Sequence, residues 1–308
     1  MDSHFSRLIA TIATDNRLGA AQIAERAADL LLRRATTGAP PSPDAFRQEL
    51  LETGWALIRA QPSMAPLVNL VNNVLWKAEE SDTPDGLRGA VAQATEEFKR
   101  QIKQHALHVA EGALALVAEG SVVVTISYST TVLHALRHAQ RAGRRFTVIC
   151  AESRPVYEGR QTAAQLASYG IPVKIMVDAA AVAAAASAQL VLVGADLLSM
   201  QGLVNKVGTR ALAAVAHDAG VPFYALCGSE KFLPLGFAPL EQLEWPAAEV
   251  WPDAPEGVAV RNRYFDTTPL ELVSGIVTEQ GTLPVAAIEA WLAATRLHPA
   301  LARPPASK

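Results

Sequence analysis

The sequence predicts an α/β protein: a helical N-terminal domain over residues 1–119, then a Rossmann-like parallel-sheet domain over residues 120–308. Up to Gly120 the apolar residues recur every three or four positions, the period of an amphipathic helix. Beyond it, short β-branched runs alternate with helical stretches, the pattern of parallel strands joined by crossover helices. In addition, polar residues stand directly after each of five strands, and strand ends on one side of a parallel sheet share one rim.

In the helical half, Ser3 to Arg34 carries Ala, Leu and Ile at helical spacing, with Asp15 as a cap before a turn at Leu18-Gly19-Ala20. The stretch Gly38-Ala39-Pro40-Pro41-Ser42-Pro43 ends that unit, and Asp44 starts the next helix. Gln61-Pro62-Ser63-Met64-Ala65-Pro66 is a second break. The apolar helix Leu67 to Trp76 follows, with Asn69, Asn72 and Asn73 as unusual passengers. Two readings of Asn69 stand: it faces a ligand, or neighbouring backbone satisfies it. Ser81-Asp82-Thr83-Pro84 opens a long helix over Asp85 to Glu119, with Phe98, Ile102, His105, Val109, Gly112 and Leu116 along one face. His105 and His108 read as helix-face residues, because no Cys, Asp or Glu at ligand spacing accompanies them; no metal site is expected.

After Gly120, Val122 to Ile126, Phe146 to Ala151, Val173 to Val177, Leu190 to Val193 and Pro222 to Cys227 read as strands. Thr130 to Ala142, Gly159 to Tyr169, Asp178 to Ala188 and Arg210 to Ala219 are the helices between and after them. The remainder is expected to add a strand pair, from Arg261 to Asp266 and Gly275 to Thr278, with Thr267-Thr268-Pro269 opening a short helix and Pro284 to Thr295 closing the chain.

The candidate site lies on the strand ends. Leu190 to Val193 is closed by Gly194, so Asp196 sits just past the carboxyl end of a buried strand. Gly202 permits a tight turn, Asn205 and Lys206 supply an amide and a cation, and Gly208-Thr209 leads into a helix. Free backbone N–H groups and the helix dipole would suit an anion there, a phosphate above all. The competing reading is a structural loop with a helix-capping Thr. Ser127-Tyr128-Ser129-Thr130-Thr131, Glu152-Ser153-Arg154-Pro155, Asp178 and Ser229-Glu230-Lys231 follow the other strands. Hydroxyl-rich turns, Arg154, Arg160, Lys206, Lys231 and two or three acids around one crevice describe a site for a small, polyhydroxylated, phosphorylated ligand. Neither a Gly-x-Gly-x-x-Gly after the first strand nor a Gly-x-x-x-x-Gly-Lys-Ser/Thr is present, so no dinucleotide or other cofactor is indicated.

Composition narrows the class. At 308 residues, 50% hydrophobic and 19% charged, the chain can bury a sizeable core. A net charge of -3 argues against a general nucleic-acid binder, and no direct nucleic-acid partner is expected. Cys150 and Cys227 lie in apolar runs and read as small buried hydrophobes, which fits a reducing cytoplasm. The start MDSHFSRLIA holds no long apolar stretch and no run reaches membrane-spanning length, so a cytoplasmic protein without a membrane partner is expected.

TISYSTTV, AESRPVYEGR, VLVGADLLSMQGLVNKVGT, the Ser229-Glu230-Lys231-Phe232 turn and Tyr264-Phe265-Asp266-Thr267-Thr268-Pro269 with Thr278-Glu279-Gln280-Gly281 carry a family resemblance. In order and spacing they resemble the family that joins the alpha, beta and delta subunits of eukaryotic initiation factor 2B with methylthioribose-1-phosphate isomerase and ribose-1,5-bisphosphate isomerase. The resemblance covers nearly everything after Gly120 and extends more weakly through Leu18-Gly19-Ala20 and Gln61-Pro62-Ser63. It implies a helical domain on a Rossmann-like domain, and a homodimer paired through the latter. The apolar segment Leu233 to Phe237 is a candidate contributor to that pairing.

In the isomerases of this family a cysteine after the first strand and the aspartate of Gly-Ala-Asp carry acid/base chemistry between C1 and C2 of a phosphosugar. The resemblance implies Asp196 as the catalytic aspartate and puts Ser127 in the cysteine's place. A thiol with a pKa of ~8.5 can be tuned to exchange protons near neutrality, whereas an alkanol needs a strong base beside it. Gly19, Ala20, Gln61, Ser129, Thr130, Thr131, Asn205, Lys206 and Lys231 match ligand-holding positions, although Leu18 and Gln61 stand where the enzymes have arginines. The implied function is phosphosugar binding with aldose-ketose isomerase chemistry on ribose-1-phosphate derivatives. The alternative, which the Ser127-Tyr128-Ser129 turn favours, is a non-catalytic regulatory subunit like initiation factor 2B alpha, sensing a sugar phosphate or nucleotide.

Overall fold

The computed structural model describes residues 3–37 and 42–303; the break expected at Gly38 to Pro41 lies outside the described residues. The chain divides into two compact units, Met1–Lys103 with Glu230–Glu241 and Glu289–Lys308, and Gln104–Ser229 with Gln242–Ile288.

The helical unit begins with α1 (Ser3–Ala13), α2 (Ala20–Thr36), α3 (Pro43–Ala60), α4 (Ala65–Ala78) and the first part of α5 (Pro84–Ala113). The turn between α1 and α2 is built as its sequence predicts: Asp15 Oδ1 accepts from the N–H of Arg17 and of Leu18, each at 3.0 Å. Ser42 caps α3 by accepting from Ala45 N at 3.2 Å, with Pro43 in the first turn where its missing N–H costs nothing. Ile23, Leu31, Phe46, Leu50, Trp55, Leu67 and Leu70 form the interior.

Helix α4 is apolar nearly all round and buried accordingly, and its asparagines tie down the late segments of the unit. Asn69 Nδ2 donates to the carbonyls of Glu230 and Phe232, both at 2.8 Å. Of its two readings, the backbone-satisfied one is the observed one. Asn72 Nδ2 donates to Arg296 O at 3.1 Å, while its Oδ1 accepts from His298 N at 2.7 Å. Leu233 and Phe237, read as surface residues for pairing, are buried instead, and Phe237 stacks on Trp55 at 5.8 Å; Leu235 stays exposed.

In the second unit the chain runs β1 (Val122–Thr125), α6 (Thr130–Arg141), β2 (Thr147–Ala151), α7 (Glu158–Ser168), β3 (Val173–Met176), α8 (Asp178–Ala184) and β4 (Leu190–Val193). It continues through β5 (Leu197–Ser199), β6 (Gly202–Lys206), α9 (Thr209–Asp218), β7 (Phe223–Leu226), β8 (Phe265–Thr268), β9 (Gly275–Thr278) and β10 (Gly281–Leu283), and α10 (Ile288–Ala294) starts at its end. Seven strands form one sheet in the order β10-β9-β7-β4-β1-β2-β3, parallel except for β10. The predicted strands match β1, β2, β3, β4, β7 and β9, and the predicted helices α6, α7 and α9, to within a residue. Helix α8 stops four residues short of the expected Ala188, and β10 is not expected from the sequence. The expected pairing of Arg261–Asp266 with Gly275–Thr278 does not form, since β8 pairs with β6, and β9 with β7 and β10. The four residues of β4 are all buried, as a central parallel strand covered on both faces requires. The last turns of α5 give Val109, Ala110 and Ala113 to the same core, so the unit takes in α5 from Gln104 on.

From β1 the chain winds outward to β2 and β3, then returns to place β4 on the other side of β1. The crossovers leaving β1 and β4 therefore diverge, and open α/β sheets place their ligand crevices at such carboxyl ends.

Where the sequence predicts a loop between Asp196 and Thr209, the chain forms the hairpin β5–β6, and β8 joins it to make an antiparallel sheet. Gly202 explains the hairpin: its φ is +134° and a Cβ there would stand 2.4 Å from Thr268 O. The expected short helix at Thr267-Thr268-Pro269 is displaced accordingly, with Thr267 and Thr268 in β8 and only a single 3-10 turn at Leu270–Leu272.

Replacing Asn69 by alanine leaves two carbonyls without their donor and is expected to lower stability by about 2 kcal/mol. Chemical denaturation checks this; an unchanged midpoint would show that the two bonds contribute nothing net.

Candidate functional site at the carboxyl rim of the sheet

Among the described residues, only three non-glycine residues have positive φ: Ser127 at +67°, Ser153 at +64° and Tyr157 at +62°. All three lie on the loops after β1 and β2. Left-handed backbone at such positions costs on the order of 1–3 kcal/mol each and persists only where the surroundings fix it. The fixing contacts are visible. Ser127 N donates to Ser153 Oγ at 2.7 Å, and its carbonyl accepts from Thr162 Oγ1 at 2.7 Å. Asp178, at the start of α8, accepts from Ser153 N at 2.7 Å through one oxygen and from Arg154 N at 2.8 Å through the other. Asp178, read as a rim acid, thus holds the β2 loop in shape.

The two arginines clasp that loop. Arg154 donates to Tyr157 Oη and, at 3.0 Å, to Val250 O. Arg160 is 59% exposed, pairs with Glu152 at 3.0 Å and lies 3.9 Å from the centre of the Tyr157 ring. The structure brings Arg154 and Arg160 together around Tyr157.

Beyond β1, Ser129 caps α6, its Oγ accepting from Val132 N at 3.3 Å. Thr130 and Thr131, both half-buried, fill the first turn, whose N–H groups have no acceptor within the helix. Beyond β4, Gly194 lets the neighbouring strand end approach: a Cβ there would stand 2.6 Å from Ser129 Oγ and 3.9 Å from Asn205 Oδ1. Ser129 and Asn205 therefore both border Gly194. Asn205 is buried and its Nδ2 donates to Thr209 Oγ1 at 3.0 Å, which in turn donates to Lys206 O at 2.6 Å. Asp196 is half-buried, and its N–H donates to Val204 O at 2.9 Å, pinning the end of β4 to the hairpin.

The expectation of an anion at the start of α9 needs correction. The carboxylate of Asp266 already occupies it, accepting from Gly208 N at 2.7 Å and from Arg210 N at 3.3 Å. Burial pushes the Asp266 carboxyl above its usual range, against the pull of those amides. The competing reading of a capped structural turn is the observed one, with the cap supplied by Asp266 in β8. Lys206 is likewise engaged: its ammonium pairs with the Glu158 carboxylate at the start of α7, with side chains 4% and 9% exposed. The ammonium also lies 4.2 Å from the centre of the Tyr264 ring. Burial raises the Glu158 carboxyl above the ordinary carboxylate range, and Lys206 opposes that shift.

Four sequence-predicted residues lie in the helical unit. Gly19 is the residue before α2, Ala20 is buried in its first turn, and Lys231 is buried between the two carbonyls that Asn69 holds. Gln61 is buried and donates to the carbonyls of Ile12 at 2.9 Å and Asp15 at 3.1 Å, so its amide braces the end of α1. Cys150 lies in β2 opposite Thr125, its thiol buried and pushed up to about 12. It cannot supply a thiolate near neutrality. Among the described residues no group of three or more His, Cys, Asp or Glu could hold a metal ion, and no helix is long and apolar enough to cross a membrane. The rim therefore offers a carboxylate, hydroxyls, an amide and the open first turn of a helix, which suits a small anionic, hydroxylated ligand.

Residues 16–285 match the model of the initiation factor 2 subunit family. Ribose 1,5-bisphosphate isomerase of Haloterrigena turkmenica is 33% identical over 281 residues, 86% of this chain and 86% of the relative. The enzyme of the same name from Archaeoglobus fulgidus is 33% identical over 271 residues, 86% and 85% of the two chains. Among solved structures, a translation initiation factor eIF-2B from Pyrococcus horikoshii superposes with a TM-score of 0.79 at 28% identity, over 92% of this chain and 98% of that one. The 5-methylthioribose 1-phosphate isomerase of the same organism shares the fold, with a TM-score of 0.73 at 22% identity over 94% and 87%. With its whole parallel sheet inside the matched region, this chain belongs to the initiation factor 2 subunit family.

Proposed function

We propose that this protein binds a phosphorylated sugar and interconverts the aldose and ketose forms of a ribose-1-phosphate derivative. The observation that carries the reading is Asp196, a half-buried carboxylate at the end of β4 where the sheet's winding reverses, with Ser127 and Ser129 at the facing end of β1. Relatives at 33% identity that bear the name ribose 1,5-bisphosphate isomerase support the substrate class. Such an isomerisation oxidises C2 as it reduces C1, so no outside electron acceptor enters the balance. Asp196 serves as general base toward a sugar hydroxyl and returns the proton as general acid, in ring opening and in the transfer between C1 and C2. Ser127 hydrogen-bonds the sugar or relays a proton. Ser129, Thr130 and Thr131 hold phosphate at the first turn of α6, while Asn205 and Lys206 complete the ligand's surroundings within the sheet unit.

A second reading has its own observation. Ser127 stands where the isomerases' cysteine is expected, and the buried Cys150 thiol offers no substitute. On that reading the protein is a regulatory subunit that senses a sugar phosphate or nucleotide without converting it. Both readings place the protein in the cytoplasm, and both expect a homodimer, which light scattering at micromolar concentration would report as twice the chain mass; a monomer would remove that part.

Thermal shift against ribose-1-phosphate, ribose-1,5-bisphosphate, methylthioribose-1-phosphate, ribose-5-phosphate and AMP, followed by NMR for ketose formation, separates the readings, because a ligand raises the melting temperature whether or not it reacts. Asp196→Asn is expected to keep the thermal shift and lose at least about 100-fold in turnover; turnover equal to the parent's would sink the isomerase reading. Ser127→Cys is expected to raise turnover at neutral pH. Tight binding with no ketose from either the parent or this variant favours the sensor.

A further inference from the structure

We infer that an anion binding at Lys206 does so by displacing the Glu158 carboxylate, and that Glu158 takes up one proton, on Oε2, as the anion arrives. The inference rests on the reading in which Lys206 holds a phosphate of the ligand, and it adds a proton to that event.

The geometry sets the problem. Lys206 is 4% exposed, and its ammonium has a resident counter-ion in Glu158 Oε1. Glu158 itself is 9% exposed at the side chain, and its second oxygen, Oε2, is buried with no hydrogen-bond partner among the described residues. A buried carboxylate oxygen without a donor is costly. The groups facing the pair do not relieve it. Asp178 on α8 acts on Glu158 with the same sign of charge, and its own oxygens are taken by the N–H groups of Ser153 and Arg154. On the far side, the ring of Tyr264 lies against Lys206, and its hydroxyl donates to the Glu249 carboxylate. The Glu158 carboxylate is thus held ionised by one ammonium and by its own backbone N–H, while burial has already raised its affinity for a proton.

An incoming phosphate or sulfate oxyanion would add negative charge beside Glu158 and Asp178. With Glu158 ionised, the cluster of Lys206, Glu158 and Asp178 carries one net negative charge and repels it. Protonation at Oε2 removes that charge, releases Lys206 to donate to the oxyanion, and converts the orphaned acceptor into an O–H donor aimed at the same ligand. The proton comes from solvent or buffer, and no covalent bond changes besides O–H.

Linkage fixes the sign. Glu158 is ionised in the free protein above its pKa and protonated in the complex, so affinity is flat below that pKa and falls by about tenfold per pH unit above it. Sulfate is the probe, since it remains a dianion between about pH 5 and about pH 8, where carboxyl groups of raised pKa titrate. Calorimetry with full-length protein in two buffers of different ionisation heat is expected to show uptake approaching one proton per sulfate at the alkaline end. Glu158→Gln, whose amide N–H imitates the protonated acid, is expected to bind sulfate with a flat pH profile, more tightly than the parent at about pH 8. Lys206→Met is expected to lose the binding. Absence of sulfate binding by the parent at low pH, zero proton uptake, a slope unchanged in Glu158→Gln, or binding retained in Lys206→Met would each overturn the inference. If Glu158→Gln does not fold, as its melting curve would reveal, the two-buffer result on the parent decides alone. Ketose formation is measured separately, so a failed isomerase reading leaves the proton linkage standing, and a pH-independent sulfate affinity in an active isomerase removes only the linkage.

Discussion

The central constraint is the burial of β4 and β1 on both faces of the sheet. Leu190 to Val193 are wholly enclosed, and Val123 and Val124 beside them are inaccessible. An unpaired polar side chain inside such strands would cost several kcal/mol, so polar chemistry is confined to the strand ends. The winding order then selects among those ends: only between β1 and β4 do the crossovers part, and there Ser127, Ser129, Gly194 and Asp196 stand. Gly194 belongs to the same constraint, because any side chain there would occupy the space of Ser129 Oγ.

Three carboxylates hold the rim in shape. Asp178 takes two amides of the β2 loop, Asp266 takes the amides that begin α9, and Glu158 takes the ammonium of Lys206. Each fixes a segment whose backbone would otherwise relax, the left-handed Ser153 most plainly. Glu158 differs from the other two. The oxygens of Asp178 and Asp266 meet N–H donors that cannot leave, whereas Glu158 depends on a flexible side chain and its own backbone N–H, with Oε2 meeting no partner among the described residues. A buried pair of that kind adds little net stability, although stranding one member costs about 3–5 kcal/mol.

The six parallel strands of the main sheet were legible because their signal is local: a short apolar run, with a crossover helix beginning at a polar strand end; the three-residue β10, Gly281–Leu283, carries no such run and was not. The β5–β6–β8 sheet was not, since strands of three to five residues resemble a loop until β8 arrives from far along the chain to pair Leu203 with Thr268. The site divides the same way. Ser129 and Asn205 both border a glycine that the sequence marks as closing β4. Glu158 and Asp266 escaped notice because an acid in a first helical turn or before a Thr-Thr pair looks like ordinary capping, and their partners lie on other elements. Gln61 and Asn69 show the reverse limit: their residue types suit a ligand, and only tertiary contacts reveal that carbonyls of Ile12, Asp15, Glu230 and Phe232 take their amides.

The distribution of donors bears on where an anion enters. At α9 a resident carboxylate already satisfies the amides, and at Lys206 another neutralises the ammonium. At α6 the Ser129 hydroxyl caps only Val132 N, and the N–H groups of Thr130 and Thr131 have no acceptor among the described residues. In the proposed reading, a phosphate therefore meets its first open donors at α6, beside the hydroxyls of Ser129, Thr130 and Thr131. On the same reading Lys206 joins only after Glu158 gives way. A neutral sugar would then lack the charge to drive the exchange, and the internal Lys206–Glu158 ion pair would distinguish phosphorylated from unphosphorylated ligands as well as direct contact does.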